Sequence, residues 1–208
     1  MRSLPIFLCF ALAPHLGLAQ DGKKQNFGIE CRVVYVPTPQ SVVEKMLAMA
    51  KVTGNDLVYD LGCGDGRVLL AAAKKYGAKG VGIDIDPTRV VECNDLLTKA
   101  GMLKEMVEIR QGDGLKVKDL DRATVVVLYM LPEFMEKIEK QLHRLKPGTR
   151  IVAHDYPLSQ LRPDLVVEFQ GPERSHTLFM WTVKEVKKKK DVDVPKPKFK
   201  RFKRPFPN

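Results

Sequence analysis

The run Val58-Tyr59-Asp60-Leu61-Gly62-Cys63-Gly64-Asp65-Gly66-Arg67 constrains this chain more than any other. Apolar residues lead into an acid, three glycines follow at alternate positions, and a helical pattern starts at Arg67 and runs to Tyr76. Such a succession reads as a strand, a tight loop and a helix N-terminus. Glycine lacks a Cβ, so the loop can adopt positive φ and admit a ligand close to its backbone. The helix start contributes unpaired N–H groups and a partial positive charge. The spacing G-x-G-x-G differs from the dinucleotide fingerprint G-x-G-x-x-G, and no Gly-Lys-Ser/Thr follows to make a phosphate-binding P-loop. A loop that merely packs strand against helix is the plain structural alternative.

Two later acids extend the pattern. Gly80-Val81-Gly82-Ile83-Asp84-Ile85-Asp86-Pro87 reads as a second strand ending in acid. A carboxylate at that place can accept from both hydroxyls of a ribose, and Asp84 has the right separation from the glycines. Asp86 precedes a proline, so it is expected to cap the helix from about Thr88 to Ala100. A third strand, near 106–111, closes in Gly112-Asp113-Gly114, where an ordinary Asp-Gly turn competes with a binding role for Asp113.

Apolar periodicity places a helix over Gln40–Lys51 and strands near 56–60, 79–84, 106–111, 123–129 and 149–154, with a helix over 132–146. This alternation calls for an α/β fold, a Rossmann-like mostly parallel sheet with helices on both faces. Two last runs, Asp164–Phe169 and Thr177–Val183, have no helix between them and suit a C-terminal antiparallel hairpin, seven strands in all. The three cysteines beyond Cys9 have no C-x-x-C spacing, so neither a disulfide framework nor a metal site is expected.

The motif Asp60-x-Gly62-x-Gly64-x-Gly66 resembles the first motif of the class I S-adenosylmethionine (SAM)-dependent methyltransferases, whose seven-stranded fold it also matches. The resemblance implies SAM as cofactor, bound by Asp60, Gly62, Gly64, Gly66, Asp84 and Asp113. In that family the loop wraps the methionine part, the first acid orients its amino end, and an acid at the third strand accepts from the adenine amino group. From Tyr35 to Pro157 the chain looks like small bacterial SAM methyltransferases. More loosely, it is similar to the mitochondrial protein-lysine methyltransferases acting on an ATP synthase subunit and the adenine nucleotide translocase. The shared features are Pro37-Thr38-Pro39 before a helix, the glycine loop through Arg67, and the aromatic-Pro pair Tyr156-Pro157.

The acceptor site is expected beyond the carboxyl ends of strands four and five. Strand four ends in Leu128-Tyr129-Met130-Leu131-Pro132-Glu133 and lacks the Asn/Asp-Pro-Pro-Tyr/Phe motif of amide and base methylation. Strand five ends in His154-Asp155-Tyr156-Pro157. Asp155, Tyr129 and Glu133 are the candidates for catalysis, Tyr156 is a second aromatic wall, and His154 reads as a packed strand residue. Protein lysine is the favoured acceptor. A non-catalytic SAM-fold module docking on nucleic acid or membrane is the rival reading.

The formal charge of +10 is uneven: the stretch from Lys184 to Asn208 alone carries a net +8. Three segments follow: a hydrophobic leader or signal peptide over 1–20, a methyltransferase domain over 35–184, and a basic tail over 185–208. If used, the leader would send the protein to a secreted, periplasmic or membrane-associated location. The tail mixes Pro, Lys/Arg and Phe. That composition suits a solvated segment, or one that contacts nucleic acid or an anionic membrane.

Overall fold

Short apolar runs separated by amphipathic ones build a sheet that is buried on both sides. The computed structural model describes residues 35–185. In chain order the elements are α1 (Gln40–Met49), β1 (Leu57–Leu61), α2 (Arg67–Tyr76), β2 (Lys79–Asp84), α3 (Pro87–Lys99), β3 (Val107–Gln111), β4 (Val125–Leu128), α4 (Pro132–Leu142), β5 (Arg150–His154), β6 (Leu165–Gln170) and β7 (Ser175–Thr182). One sheet takes all seven strands in the order β3-β2-β1-β4-β5-β7-β6. The pairs among β1 to β5 are parallel, and β7 runs antiparallel to both β5 and β6.

Alternate residues of the central strands feed two cores. Val58, Val125, Val127 and Val152 point to the face covered by α1, α2 and α3. Tyr59, Val126, Leu128, Ile151 and Ala153 point to the face covered by α4 and the 3-10 turns Gly114–Lys116 and Leu120–Arg122. Because both faces are covered, the strands read as continuous apolar runs rather than alternating ones. The chain moves outward from β1 to β3, then returns to β4 and moves the other way. Strand order therefore reverses between β1 and β4, the position beyond whose carboxyl ends open α/β sheets bind their ligands.

Most boundaries fall within two residues of expectation. The helix from Pro132 stops at Leu142 instead of 146. There the backbone tightens, with Arg144 and Leu145 N–H donating to Gln141 and Leu142 carbonyls in i→i+3 bonds. The strand expected over 123–129 is only Val125–Leu128, because Thr124 is drawn into a polar cluster and Tyr129 leaves the sheet at its carboxyl edge. Asp86 caps α3 as expected, accepting from Thr88 N–H at 2.8 Å, with Pro87 behind it. Cys63 and Cys93 are buried free thiols. The leader over 1–20 and the basic tail, apart from Glu185, lie outside the described residues.

Candidate active site

The glycine loop leaves β1 and enters α2 with Gly62, Gly64 and Gly66 at φ of 100°, 53° and 81°. Packing as well as backbone conformation demands glycine here. A Cβ on Gly64 would lie 2.4 Å from the Tyr35 ring, and one on Gly66 would lie 2.1 Å from Cys93 Sγ. No side chain caps α2 at Gly66. Two residues of the loop close on each other instead. Arg67 donates through Nε and a terminal nitrogen to the Asp65 carboxylate at 2.7–3.1 Å, and through its other terminal nitrogen to the Thr38 carbonyl at 3.0 Å. This clamp holds the segment before α1 against the loop. Tyr35 lies across Gly64, with the Arg89 guanidinium 4.5 Å from its ring centroid.

Asp60 and Asp84 lie at the carboxyl ends of neighbouring strands, Asp84 two residues beyond Gly82, the register partner of Asp60. Asp60 is 4% exposed and receives no hydrogen bond from any described residue. Burial, reinforced by the charges of Asp84 and Asp65, pushes its carboxyl up to about 7. Asp84 braces the loop: its oxygens accept from Gly64 N–H at 2.8 Å and Asp86 N–H at 3.0 Å. A carboxylate has about four lone-pair directions, so two remain for a ligand. Asp113 caps the 3-10 turn by accepting from Leu115 N–H at 2.9 Å, and its other oxygen lies 3.4 Å from the exposed Lys116 ammonium. The turn-forming role anticipated for Asp113 is therefore real. A backbone cradle with no room for side chains, beside a buried acid with no partner among the described residues, fits the methionine part of SAM with its ammonium toward the acid.

At the ends of β4 and β5 a second cluster forms. The Tyr129 ring lies 4.0 Å from that of His154 and 6.3 Å from that of Tyr156, centroid to centroid. Asp155 follows β5 with φ of 59°, and Tyr156 N–H bonds back to the His154 carbonyl at 2.7 Å, a tight γ-turn. A side chain at positive φ marks local strain that the surroundings must hold in place. Here Asp155 Oδ1 accepts from Thr177 N–H at 3.1 Å, Asp155 N–H donates to the Thr177 carbonyl at 2.7 Å, and Oδ2 pairs with Arg174. Burial pushes the Asp155 carboxyl up, but the hydrogen bonds from Arg174 and Thr177 outweigh it and the net shift is downward.

His154 is indeed a packed residue, 1% exposed, and burial lowers its pKa to about 4, so it is neutral near pH 7. Its Nδ1 meets the Thr38 hydroxyl at 3.1 Å and its Nε2 meets His176 Nδ1 at 2.8 Å. Potential ligand atoms of His154, Asp155 and His176 lie within 4.8 Å of one another. The imidazoles already bond each other, however, and the carboxylate already carries a guanidinium, so we read the group as a hydrogen-bond network. Glu133 stands apart from it, exposed in the first turn of α4 with no hydrogen bond to the cluster. Thr38, His176 and Arg174 were invisible as site residues in the sequence. Only the Pro37-Thr38-Pro39 element hinted at the first, and nothing local marked the other two.

Residues 60–165 match the model of the ANTKMT methyltransferase domain. The chain is 38% identical over 157 residues to a protein-lysine N-methyltransferase of Saccharolobus islandicus, spanning 74% of this chain and 96% of that protein. It is 30% identical over 136 residues to a Mus musculus lysine N-methyltransferase named for an ATP synthase subunit. That match covers 62% of this chain and 51% of the mouse protein, about half its length. Among solved structures, an RNA methyltransferase from Salinibacter ruber in complex with S-adenosyl-L-homocysteine superposes with a TM-score of 0.68 at 43% identity, covering 72% of this chain and 95% of that one. Nothing in these matches supports a signal peptide over residues 1–20.

Proposed function

Because the chain belongs to the ANTKMT methyltransferase-domain family and is a SAM-dependent methyltransferase, we propose that its acceptor is the ε-amine of a lysine in a protein. We assign Asp60 to the cofactor's ammonium, the Gly62–Gly66 backbone to its methionine part, Asp84 to the ribose hydroxyls and Asp113 to the adenine amino group. On the acceptor side, Tyr129 and Tyr156 are the walls, Asp155 is the counter-charge, and Glu133 is an acid on the rim that favours approach of a basic segment.

When bound, SAM supplies a methyl group on an already activated sulfonium, so the amine nitrogen forms the N–C bond as the C–S bond breaks with its electrons left on sulfur. The protein must align the amine, exclude water and let a proton leave. A carboxyl held below its ordinary range is a poor proton acceptor, so Asp155 gathers and orients the amine rather than stripping it. The Tyr129 hydroxyl, pushed up by burial and then by the Asp155 charge, stays protonated as a neutral wall.

The observation that carries this reading is a carboxylate held in a strained turn at the end of β5, beside the stacked Tyr129 and Tyr156 rings. A carboxylate flanked by aromatic faces can receive an ammonium. The name of the Salinibacter relative favours a second reading, an RNA acceptor. Incubating the protein with methyl-labelled SAM and a cell extract separates the two. Label that survives ribonuclease and is released by protease supports lysine. Label destroyed by ribonuclease alone overturns it in favour of RNA.

A further inference from the structure

Arg174 lies in the connection between β6 and β7, two residues before His176 on β7. β7 runs antiparallel to β5, so this turn sits at the carboxyl edge of the sheet, beside the end of β5. From there Arg174 reaches across to the Asp155 carboxylate. It also lies near enough to Tyr129 for its charge to bear on that hydroxyl. A guanidinium therefore occupies the place described above for an acceptor ammonium, between a carboxylate and an aromatic wall.

The two partners differ in how firmly they are held. The Asp155 side chain is 16% exposed and fixed by Thr177 N–H and the γ-turn, whereas the Arg174 side chain is 52% exposed. Its guanidinium otherwise donates to the neighbouring Ser175 carbonyl, at 2.9 Å, and reaches the Tyr129 hydroxyl. Exchanging one exposed cation for another on a fixed carboxylate changes little in free energy. We infer that Arg174 is a resident stand-in for the acceptor lysine: it fills the Asp155 subsite when no substrate is present, and the incoming ammonium displaces it. Arg174 thereby acts as a specificity-determining residue, because a neutral or anionic acceptor could not replace it without leaving Asp155 uncompensated. The inference rests on the lysine-acceptor reading above.

The stand-in can be turned into a substrate. In Arg174→Lys the side chain carries an amine on the same tether, and transfer to it forms an N–C bond, breaks the C–S bond with its electrons on sulfur, and releases one proton to water. Incubation of the full chain with SAM, followed by intact-mass and peptide mass spectrometry, is expected to show methyl groups on the introduced amine, and adding Asp155→Asn should remove them. In parallel, Arg174→Ala opens the subsite, and its KM for poly-L-lysine is expected to fall about fivefold, near 1 kcal/mol, with kcat unchanged. Calorimetry with SAM and a thermal melt establish that each variant is folded and binds cofactor. An unmodified amine in SAM-competent Arg174→Lys protein, together with an unchanged or raised KM in Arg174→Ala, overturns the inference. If wild-type protein still labels protein lysine in that case, only the stand-in role falls. If wild type labels RNA alone, the acceptor reading falls with it.

Discussion

Asp56 and Asp60 stand four residues apart at the two ends of β1, nearly equally buried at 7% and 4% exposure, and they have opposite fates. Asp56 sits at the amino edge of the sheet. It accepts from Thr53 N–H at 2.7 Å and Thr124 Oγ1 at 2.7 Å, and it pairs with Arg150, which also donates to the Ala50 carbonyl at 2.9 Å. Burial alone would raise its pKa, but these partners carry it below the ordinary value. Asp60, at the carboxyl edge, has no partner among the described residues and is pushed up to about 7. The fold completes the first acid and leaves the second incomplete. A buried carboxyl with no complement among the described residues is a candidate place for a ligand to supply one.

Gly66→Ala tests the carboxyl edge most severely. The new methyl group would meet Cys93 at a backbone position that disfavours any side chain. Strain and overpacking together should lower stability by about 3 kcal/mol and abolish SAM binding. Chemical denaturation and calorimetry read the two effects. A folded variant that binds SAM normally would remove the steric argument for the loop.

Asp60→Asn keeps the shape and removes the charge. SAM affinity should fall about a hundredfold, near 3 kcal/mol. Stability should move the other way. A carboxyl raised from 3.8 to about 7 favours the folded state fully below its unfolded pKa, and that contribution disappears as pH rises through 7. The unliganded wild type should therefore lose stability between pH 4 and pH 7, and the variant should not, so thermal melts should agree near pH 4 and favour the variant at pH 8. Cofactor binding should instead strengthen over that range, because the ammonium requires the ionised acid. Parallel melting curves for wild type and variant would show that Asp60 is not the titrating group.

Asp56→Ala is the complementary break. It leaves the half-buried Arg150 uncompensated and is expected to cost about 2 kcal/mol of stability, with no change in SAM affinity. The Asp56 contribution is present above its unfolded pKa and lost as pH falls through its depressed folded value, the reverse of Asp60. A change in cofactor affinity would mean the two edges are coupled.

The two edges also differed in how far they could be read from the chain. The proposed cofactor side was legible because its parts are local. Asp60 and the glycines share one strand-loop-helix unit, Asp84 ends the next strand, and Asp86 with Pro87 forms a cap that any helix start could show. The sheet itself followed from short apolar runs alternating with helical ones. Asp56, by contrast, read as the first residue of β1, because its partner Arg150 is 94 residues away and leaves no periodicity behind. The same holds for Arg174 on Asp155, 19 residues away across a hairpin. Glu133 also follows β4 in sequence, but the rise into α4 carries it to an exposed first turn, with no hydrogen bond to the Asp155 cluster.

Thr38→Val has the smallest expected effect and probes the joint between the two sites. Thr38 is 7% exposed, and it holds the glycine loop through its carbonyl, which accepts from Arg67, and the proposed acceptor cluster through its hydroxyl, which meets His154 Nδ1 across 116 residues. Valine has nearly the same shape and keeps the carbonyl bond, so the loop and SAM affinity should be unchanged. The hydroxyl bond is lost, leaving a buried imidazole nitrogen without a partner at a cost of about 1 kcal/mol. Because His154 packs against Tyr129 and immediately precedes Asp155, the loosened ring should lower kcat a few fold while leaving cofactor binding intact. Equal losses in SAM affinity and kcat would instead mean that Thr38 acts through the clamp with Arg67, making the segment before α1 part of the cofactor site rather than a strut beneath the acceptor.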